Sequence, residues 1–245
     1  MITILHGDNQ VASRDRLNQL KDEAKIDNRE VVSVEGKGID MTALIQNLES
    51  QSLFSFPKSV FIENLIGSLR TGSKAKDTII NYLIEGKFDS DVVLWEGKSV
   101  GKSLLKLKKQ KHVSVEDFKM PVVIFKFTES LSPQTIPDAL FYFNEAIKTS
   151  PVEVVFIMLI RQFRLLLGTE LGANRSNDTY HRTIPELEKI APWQAQKLSR
   201  QAKLFGEKSL KILHKQLLII DFQTKTGRTP FDLTKSTQQF IMNLS

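Results

Sequence analysis

The fold class is decided by residues 59–95, SVFIENLIGSLRTGSKAKDTIINYLIEGKFDSDVVLW. The stretch begins and ends with short runs of β-branched and aromatic residues, a composition typical of buried strands. Between these runs, apolar residues recur at the spacing of one helix face, at Ile79, Ile80, Leu83 and Ile84. Gly86 follows, and glycine is the residue that most often ends a helix. Two strands joined by a helix predict a parallel pair in one sheet.

The alternation of strand and helix patterns continues on both sides of this stretch, through residues 1–119. Strands are predicted at 2–5, 31–34, 59–62, 91–95 and 112–118. Helices are predicted between them at 11–24, 39–48, 73–85 and 100–107, with Asp40 as an N-cap. This order is typical of an α/β domain, in which helices cover both faces of a parallel sheet.

Residues 133–243 show helix patterns alone. Helices are predicted at 133–148, 151–171, 192–205, 207–225 and 230–243, so the fold class is α/β followed by all-α. We divide the chain into an α/β domain at 1–119, a connector at 120–133 and a helical domain at 134–245. Within the connector, Met120 to Phe127 is apolar, and we expect an extended connector or a final strand there.

The amino-acid composition excludes several classes of function and mildly favours one kind of partner. The 245 residues carry 34 Lys and Arg against 28 Asp and Glu, a net charge of +6 that mildly favours an acidic partner. The absence of cysteine excludes disulfides, zinc fingers and cysteine nucleophiles, and four scattered histidines do not indicate a metal site. No apolar run reaches about 18 residues and no signal-peptide pattern occurs, so we expect a soluble cytoplasmic protein.

Two glycine-containing turns that follow strands are candidates for phosphate binding. Residues 97–103, GKSVGKS, have three residues between the glycines, where a P-loop needs four. The turn at Gly7, Asp8 and Asn9 lacks a second glycine and a Lys-Ser or Lys-Thr pair. No catalytic-triad pattern occurs either. We therefore expect no ATP hydrolysis, no catalytic residues, no metal and no cofactor.

A basic run lies between residues 98 and 111. Four of its lysines, at i, i+4, i+8 and i+11, are expected to share one helix face: Lys98, Lys102, Lys106 and Lys109. Such a run is most often a solvated face. The functional alternative is contact with nucleic-acid phosphates, without base stacking because no aromatic residues interleave.

Residues 52–57, SLFSFP, place two bulky apolar side chains directly after a predicted helix. Pro57 disfavours helical geometry at Phe56, so the segment is predicted to be a connection with a turn. One interpretation has Leu53 and Phe54 folding back onto the core, as most loop aromatics do. The other has them exposed as an apolar plug for a pocket on a partner.

Four stretches in order resemble the delta subunit of the bacterial DNA polymerase III clamp loader. They are residues 4–9 (ILHGDN), residues 52–62 (SLFSFPKSVFI), residues 159–167 (LIRQFRLLL), and the run from Pro192 to the DFQTKTG at residues 221–227. Each motif is weak by itself, but together they extend over most of the chain. The resemblance implies a P-loop-ATPase-like, AAA+-type first domain without nucleotide chemistry and a helical collar domain.

The resemblance also implies partners and a contact site. Leu53 and Phe54 would insert into the sliding clamp, and binding the opened ring better than the closed one would favour opening. The helical half would assemble with the other clamp-loader subunits, and primed DNA is a further possible partner. Family members carry a helical lid module between the two domains, which here is reduced to the connector at 120–133.

Two other hypotheses remain. One is a nucleic-acid-binding protein that uses the lysines between Lys98 and Lys111. The other is an NTPase with a degenerate loop at residues 97–103, in which Lys102 would bind the nucleotide.

Overall fold

The structure is a computed structural model, and it describes residues 1–50, 56–70, 72–101, 106–172, 185–188 and 190–244. The chain divides into two compact units, Met1–Met120 and Pro121–Ser245. No helix in these ranges has an apolar stretch long enough to cross a membrane.

The first unit is a parallel sheet of five strands with helices between them, as the sequence predicts. Its elements are β1 (Ile2–Gly7), α1 (Gln10–Ile26), β2 (Glu30–Glu35), α2 (Met41–Glu49), β3 (Lys58–Glu63), α3 (Lys74–Glu85), β4 (Asp91–Glu96) and β5 (Val113–Phe118). The strand order is β2-β3-β4-β1-β5. All neighbouring pairs are parallel, so the amino ends of the strands lie at one edge and the carboxyl ends at the other.

Local signals set the ends of these helices. The Asp40 side chain accepts a hydrogen bond from the backbone N–H of Ala43, which confirms the predicted N-cap of α2. Gly86 ends α3 in the left-handed conformation, with φ of 59°. A side chain is strained at that φ, which is why glycine is favoured there.

Alternation along the strands distributes the core over both faces of the sheet. On one face Ile4, Ile62 and Leu94 pack in the cluster that includes Leu44 and Leu48 of α2. On the other face the buried strand residues Leu5, Phe61, Val93 and Trp95 pack with residues of α1, among them Leu17 and Ala24. The prediction that helices cover both faces of the sheet is therefore confirmed.

The second unit is entirely helical in the residues that the structure describes. Its helices are α4 (Val122–Ser130), α5 (Ile136–Thr149), α6 (Val152–Glu170), α7 (Pro185–Glu188), α8 (Pro192–Lys225) and α9 (Leu233–Met242). Within α8, Gly206 has non-helical torsions of φ 74° and ψ 161°. The break predicted between residues 205 and 207 is thus confirmed.

The expectation of an extended connector or strand over Met120 to Phe127 is wrong. Helix α4 occupies most of that stretch, and the carbonyl of its N-cap residue, Pro121, accepts from the N–H of Ile124. Ile124 and Phe127 are buried at i and i+3, whereas Val122 and Phe125 are exposed. Because both faces of α4 carry apolar residues, the sequence of this stretch shows no helical periodicity of apolar positions.

Candidate functional site

The connection between α2 and β3 carries the predicted apolar plug. Leu53 and Phe54 lie outside the described residues, so the structure does not decide between the two interpretations of them. Both ends of the connection are described, however. On its β3 side, Phe56 is 53% exposed.

The end of α2 is tied to the start of β3 by one side chain. The Lys58 Nζ donates to the carbonyl oxygen of Asn47 at 2.7 Å and to the Ser50 Oγ at 2.7 Å. The positive charge of Lys58 also interacts favourably with the negative, C-terminal end of the α2 helix dipole. We call Asn47, Ser50, Pro57 and Lys58 the α2–β3 frame.

Neighbouring strands and helices hold this frame from several sides. The Glu30 N–H donates to the Pro57 carbonyl at 2.8 Å, and the Arg29 Nη2 donates to the Lys58 carbonyl at 3.1 Å. The Ser90 Oγ donates to the Leu48 carbonyl at 2.7 Å, so a further carbonyl near the end of α2 accepts from a side chain. The two ends of the connection are therefore fixed at the amino edge of the sheet.

A second contact at this edge joins α2 to α3. The Tyr82 hydroxyl donates to the Glu49 Oε1 at 2.8 Å. Burial of Tyr82, and then this hydrogen bond and the charge of Glu49, raise the pKa of the phenol. The neutral, donating form of Tyr82 thus persists across the ordinary pH range.

The carboxyl edge is where open parallel sheets usually bind ligands. Here only Asp8 and Asn9 separate β1 from α1, and both are engaged within the protein. The Asp8 Oδ1 accepts from the N–H of Met120 at 2.8 Å, and the Asn9 Oδ1 accepts from the N–H of Ala12 at 3.2 Å. Gly7 has φ of 139°, and a Cβ there would lie 2.1 Å from the Phe118 carbonyl oxygen.

A cleft of about 400 Å³ lies at this edge, and side chains of the protein bind one another along it. The Arg14 guanidinium lies 3.7 Å from the centroid of the Trp95 ring and donates to the Glu63 Oε2 at 2.6 Å. The Trp95 Nε1 donates in turn to the Ser13 Oγ at 3.0 Å. The positive charge of Arg14 is consequently balanced by the carboxylate of Glu63.

Glu96 is a buried acid that the sequence patterns did not reveal. Its carboxylate accepts from the N–H groups of Ile66 at 2.6 Å and Gly67 at 2.8 Å. Burial raises the pKa of Glu96, and these hydrogen bonds oppose that rise. The one sequence feature that could have indicated this residue is that an acidic residue ends the apolar strand at residues 91–96. Glu96 orders the turn after β3, which makes it a structural residue.

The shared helix face predicted for the basic run is wrong in the described part. Lys98 lies in a bend after β4 and Lys109 in a turn before β5, and Lys102 lies outside the described residues. Gly97 and Gly101 flank the first of these positions, and glycine disfavours helix. Lys98, Lys106 and Lys109 are exposed, and none of them forms an ion pair within the described part of the chain.

Helix α6 carries the Arg-Gln-Phe-Arg motif at residues 161–164, and the structure gives its central residues a packing role. The Phe163 ring lies edge-on to Phe205 and Phe240, with centroids 5.6 and 5.3 Å away. The Gln162 Nε2 donates to the Gln201 Oε1 at 2.7 Å. The motif therefore joins α6 to α8 and α9.

Gln201 extends this network to α4. Its Nε2 donates to the carbonyls of Thr128 at 2.9 Å and Leu131 at 2.8 Å, at the end of α4 where helical partners run out. The motif's last residue, Arg164, pairs with Glu186 of α7. Conventional metal-ligand clusters of His, Asp and Glu are absent from the described residues.

A family profile matches most of the second unit. The profile of the family "DNA polymerase III delta subunit, C-terminal domain" matches residues 123–244. A curated relative, the DNA polymerase III subunit delta of Bacillus subtilis (strain 168), is 26% identical over 126 residues. That alignment covers 49% of this chain and 36% of the relative, so the chain matches little more than a third of the relative's length.

Two solved structures are similar over nearly the whole chain, at low scores. The Bacillus subtilis DNA clamp loader delta protein has a TM-score of 0.47 and 15% identity, with 99% of this chain and 94% of that one covered. A DNA polymerase III gamma subunit-related protein from Thermotoga maritima has a TM-score of 0.33 and 11% identity, with 99% and 93% covered. Both TM-scores are below 0.5, and the family match thus rests on the sequence of the second unit.

Proposed function

Because residues 123–244 belong to the family of C-terminal domains of DNA polymerase III delta subunits, we propose that this chain is a non-catalytic member of a clamp loader. The observation that carries the proposal is that the family match extends over nearly the whole helical unit. It includes the α6 motif and its buried partners. The resemblance of residues 4–9 and 52–62 to delta subunits adds support from the first unit.

The helical unit is proposed to assemble with the other loader subunits. Its described surface carries large apolar side chains that are about half exposed, at Trp193, Ile212, Ile219, Phe222 and Phe231. Exposed apolar residues of this size mark interaction surfaces when they cluster. A collar of several chains would bury them.

The first unit is proposed to bind the sliding clamp through Leu53 and Phe54. The support is the α2–β3 frame, which fixes both ends of the connection that carries them at the amino edge of the sheet. Two apolar side chains can form an interface hot spot, in which each truncation costs about 2 kcal/mol or more. If the opened ring exposes a better pocket than the closed ring, this binding shifts the clamp toward opening.

The carboxyl edge is proposed to have no nucleotide chemistry, as in an AAA+-type domain that has lost it. The two-residue link between β1 and α1 is too short to wrap a phosphate. Arg14, a cation of α1 that lines the cleft, is engaged by Glu63 and Trp95. Titration with ATP and Mg²⁺ should give no binding heat, and measurable binding would contradict this part of the proposal.

The proposal is tested by calorimetric titration of the full chain into its cognate sliding clamp. We expect binding that the Leu53→Ala/Phe54→Ala variant weakens at least a hundredfold, since two hot-spot truncations of about 2 kcal/mol each would approach a thousandfold if they were additive. The matched control is Val11→Ala/Ile26→Ala, which truncates two exposed apolar residues of the same unit. A folded wild type that does not bind the clamp would overturn the proposal.

A second candidate activity is contact with nucleic-acid phosphates by the exposed lysines. Lys98, Lys106 and Lys109 have no acidic partner among the described residues, which leaves their charge available. We expect binding to primed DNA to weaken with salt, and the Lys106→Met/Lys109→Met variant to lower that slope by about 2. An unchanged slope would remove the lysines from the interface.

A further inference from the structure

The cleft of about 400 Å³ at the carboxyl edge carries an unbalanced positive charge. Its charged lining side chains are Arg14, Lys37, Lys98 and Glu96. The Glu96 carboxylate is buried and accepts from backbone N–H groups, and Glu63 balances the charge of Arg14. Lys37 and Lys98 are exposed, and neither forms an ion pair within the described residues. Two lysines of this cleft therefore keep their charge available for a ligand.

These two lysines extend from connections on either side of β3. Lys37 follows β2 and Lys98 follows β4, and the order β2-β3-β4 places one strand between them. Neighbouring strands lie about 4.8 Å apart, so β2 and β4 are about 10 Å apart. The lysines thus stand on two sides of one opening, and their flexible side chains can reach a single ligand seated above the end of β3.

Hydrogen bonds hold both connections in place. On the β2 side, the Gly36 N–H donates to the Glu63 carbonyl at 2.7 Å. On the β4 side, the Gln10 Nε2 donates to the Gly97 carbonyl at 2.8 Å. Each bond anchors the residue that directly precedes one of the two lysines. The backbone on both sides of the cleft is therefore ordered before a ligand arrives, which lowers the entropic cost of binding.

Arg14 adds a donor whose orientation is fixed. Its guanidinium lies 3.7 Å from the centroid of the Trp95 ring, and this stacking sets the plane of the group. The one hydrogen bond that it donates within the described residues goes to the Glu63 Oε2. A guanidinium has further N–H donors, and the Arg14 side chain is 40% exposed. Such a group binds phosphate oxygens through paired N–H donors.

We propose that this cleft is a binding site for a backbone phosphate of DNA, held between Lys37 and Lys98 with Arg14 as the oriented donor. The site rests on the second candidate activity described above, in which exposed lysines contact nucleic-acid phosphates. It adds to that activity a bounded cleft and two residues, Lys37 and Arg14, that lie outside the basic run at residues 98–111.

The chemistry of the cleft favours a phosphodiester over a nucleotide. The short link between β1 and α1 offers no run of N–H groups to wrap a triphosphate. Glu63 and Glu96 are engaged within the protein, which leaves neither carboxylate to hold Mg²⁺. Trp95 is 5% exposed and lies against Arg14, so it offers no open face to a base. A contact with phosphate alone is independent of the DNA sequence.

The test measures binding of the full chain to a labelled DNA duplex with a single-stranded end, by fluorescence anisotropy from about 50 to about 200 mM salt. We expect Lys37→Met to weaken binding and to lower the slope of log K against log salt concentration by about 1. Lys37→Arg keeps the charge and should retain the slope. Lys87→Met is the control, because it removes an exposed lysine at the amino edge of the same sheet.

A double-mutant cycle tests whether the two lysines share one phosphate. Side chains that hold the same group are coupled, so Lys37→Met/Lys98→Met should weaken binding by less than the product of the two single effects. Lys106 does not line the cleft, and Lys37→Met/Lys106→Met should therefore weaken binding by the full product. A full product for both pairs would mean separate contacts and would overturn the shared site.

Three other results would overturn the assignment. An unchanged salt slope in Lys37→Met would remove the cleft from the DNA interface. Binding of ATP and Mg²⁺ that Lys37→Met abolishes would make the cleft a nucleotide site. Poly-glutamate that displaces the labelled DNA as well as unlabelled DNA does, at equal charge, would assign the cleft to an acidic polypeptide.

The same titrations separate this site from the activity on which it rests. If the Lys106→Met/Lys109→Met variant lowers the salt slope and Lys37→Met does not, the lysines still contact DNA and only the cleft falls. If the folded wild type shows no salt-dependent binding to DNA, both fall, and the proposed clamp-binding function is unaffected.

Discussion

The two edges of the parallel sheet differ in what their polar side chains do. At the carboxyl edge, Arg14, Glu63 and Trp95 bind one another, and Glu96 caps a turn within the same edge. At the amino edge, Lys58 instead ties together the ends of a connection that carries two apolar residues. At the usual ligand edge Arg14 and Glu96 are thus engaged within the protein, whereas Lys98, which lines the same cleft, has no ion pair among the described residues. The contact that we propose for the clamp lies at the opposite edge.

This comparison leads to a rule for variants of the first unit. Substitutions at the carboxyl edge should change stability and leave clamp affinity of the folded protein unchanged. The Leu53→Ala/Phe54→Ala variant should do the reverse. The following predictions test that separation, in order of decreasing effect.

The largest effect is expected for Gly7→Ala. A Cβ at this residue would lie 2.1 Å from the Phe118 carbonyl oxygen, and φ of 139° is unfavourable for alanine. Backbone atoms cannot yield as a flexible side chain does, so we expect a loss of about 3 kcal/mol in the free energy of unfolding. Urea denaturation measures it. The control is Gly38→Ala, where φ is 82° but no atom lies within 4 Å; an equal loss there would contradict the steric argument.

A smaller loss is expected for Glu96→Gln. The amide cannot accept from both the Ile66 and Gly67 N–H groups as the carboxylate does, so one buried donor loses its partner. The expected cost is about 2 kcal/mol in the free energy of unfolding, from the same denaturation experiment. The matched control is Glu85→Gln, which makes the same change at an exposed residue. If both variants change the free energy of unfolding by an equally small amount, the turn after β3 does not depend on Glu96.

At the amino edge, Ser90→Ala tests how much the hydrogen bond that holds the end of α2 contributes to stability. It removes the donor to the Leu48 carbonyl, and we expect a loss of about 1 kcal/mol in stability. Clamp affinity should stay within about twofold of the wild type, because the other contacts of the α2–β3 frame remain. A tenfold loss of affinity would mean that the position of α2 controls binding.

Sequence patterns predicted the strands and helices of the first unit better than the contacts at either edge of its sheet, for a physical reason. Strands, helices and the Asp40 cap follow from local periodicity and local hydrogen bonds. The frame and the Arg14–Glu63–Trp95 contacts join residues far apart in sequence, so no local spacing indicates them. Helix α4 escaped prediction for a different reason, because Val122 and Phe125 add apolar residues to its exposed face.

The smallest effect concerns pH at the carboxyl edge. His6 is buried near the end of β1, where its Nδ1 lies 3.7 Å from the Asp117 Oδ1. Burial lowers the pKa of His6; Asp117 opposes this shift, and Lys108 and Lys119 add to it. The unfolded chain therefore binds a proton at His6 more readily than the folded protein does.

Stability should thus fall as pH decreases from about 6.5 through the lowered pKa of His6, at no more than about 1.4 kcal/mol per pH unit. We expect His6→Gln to flatten this slope in urea denaturation between pH 5 and 8. At pH 8 the histidine is neutral in both states, so the stability difference between variant and wild type there gives the packing cost alone. A slope that His6→Gln leaves unchanged would assign the acid sensitivity to other groups, and it would mean that the ion pair with Asp117 offsets burial at this edge.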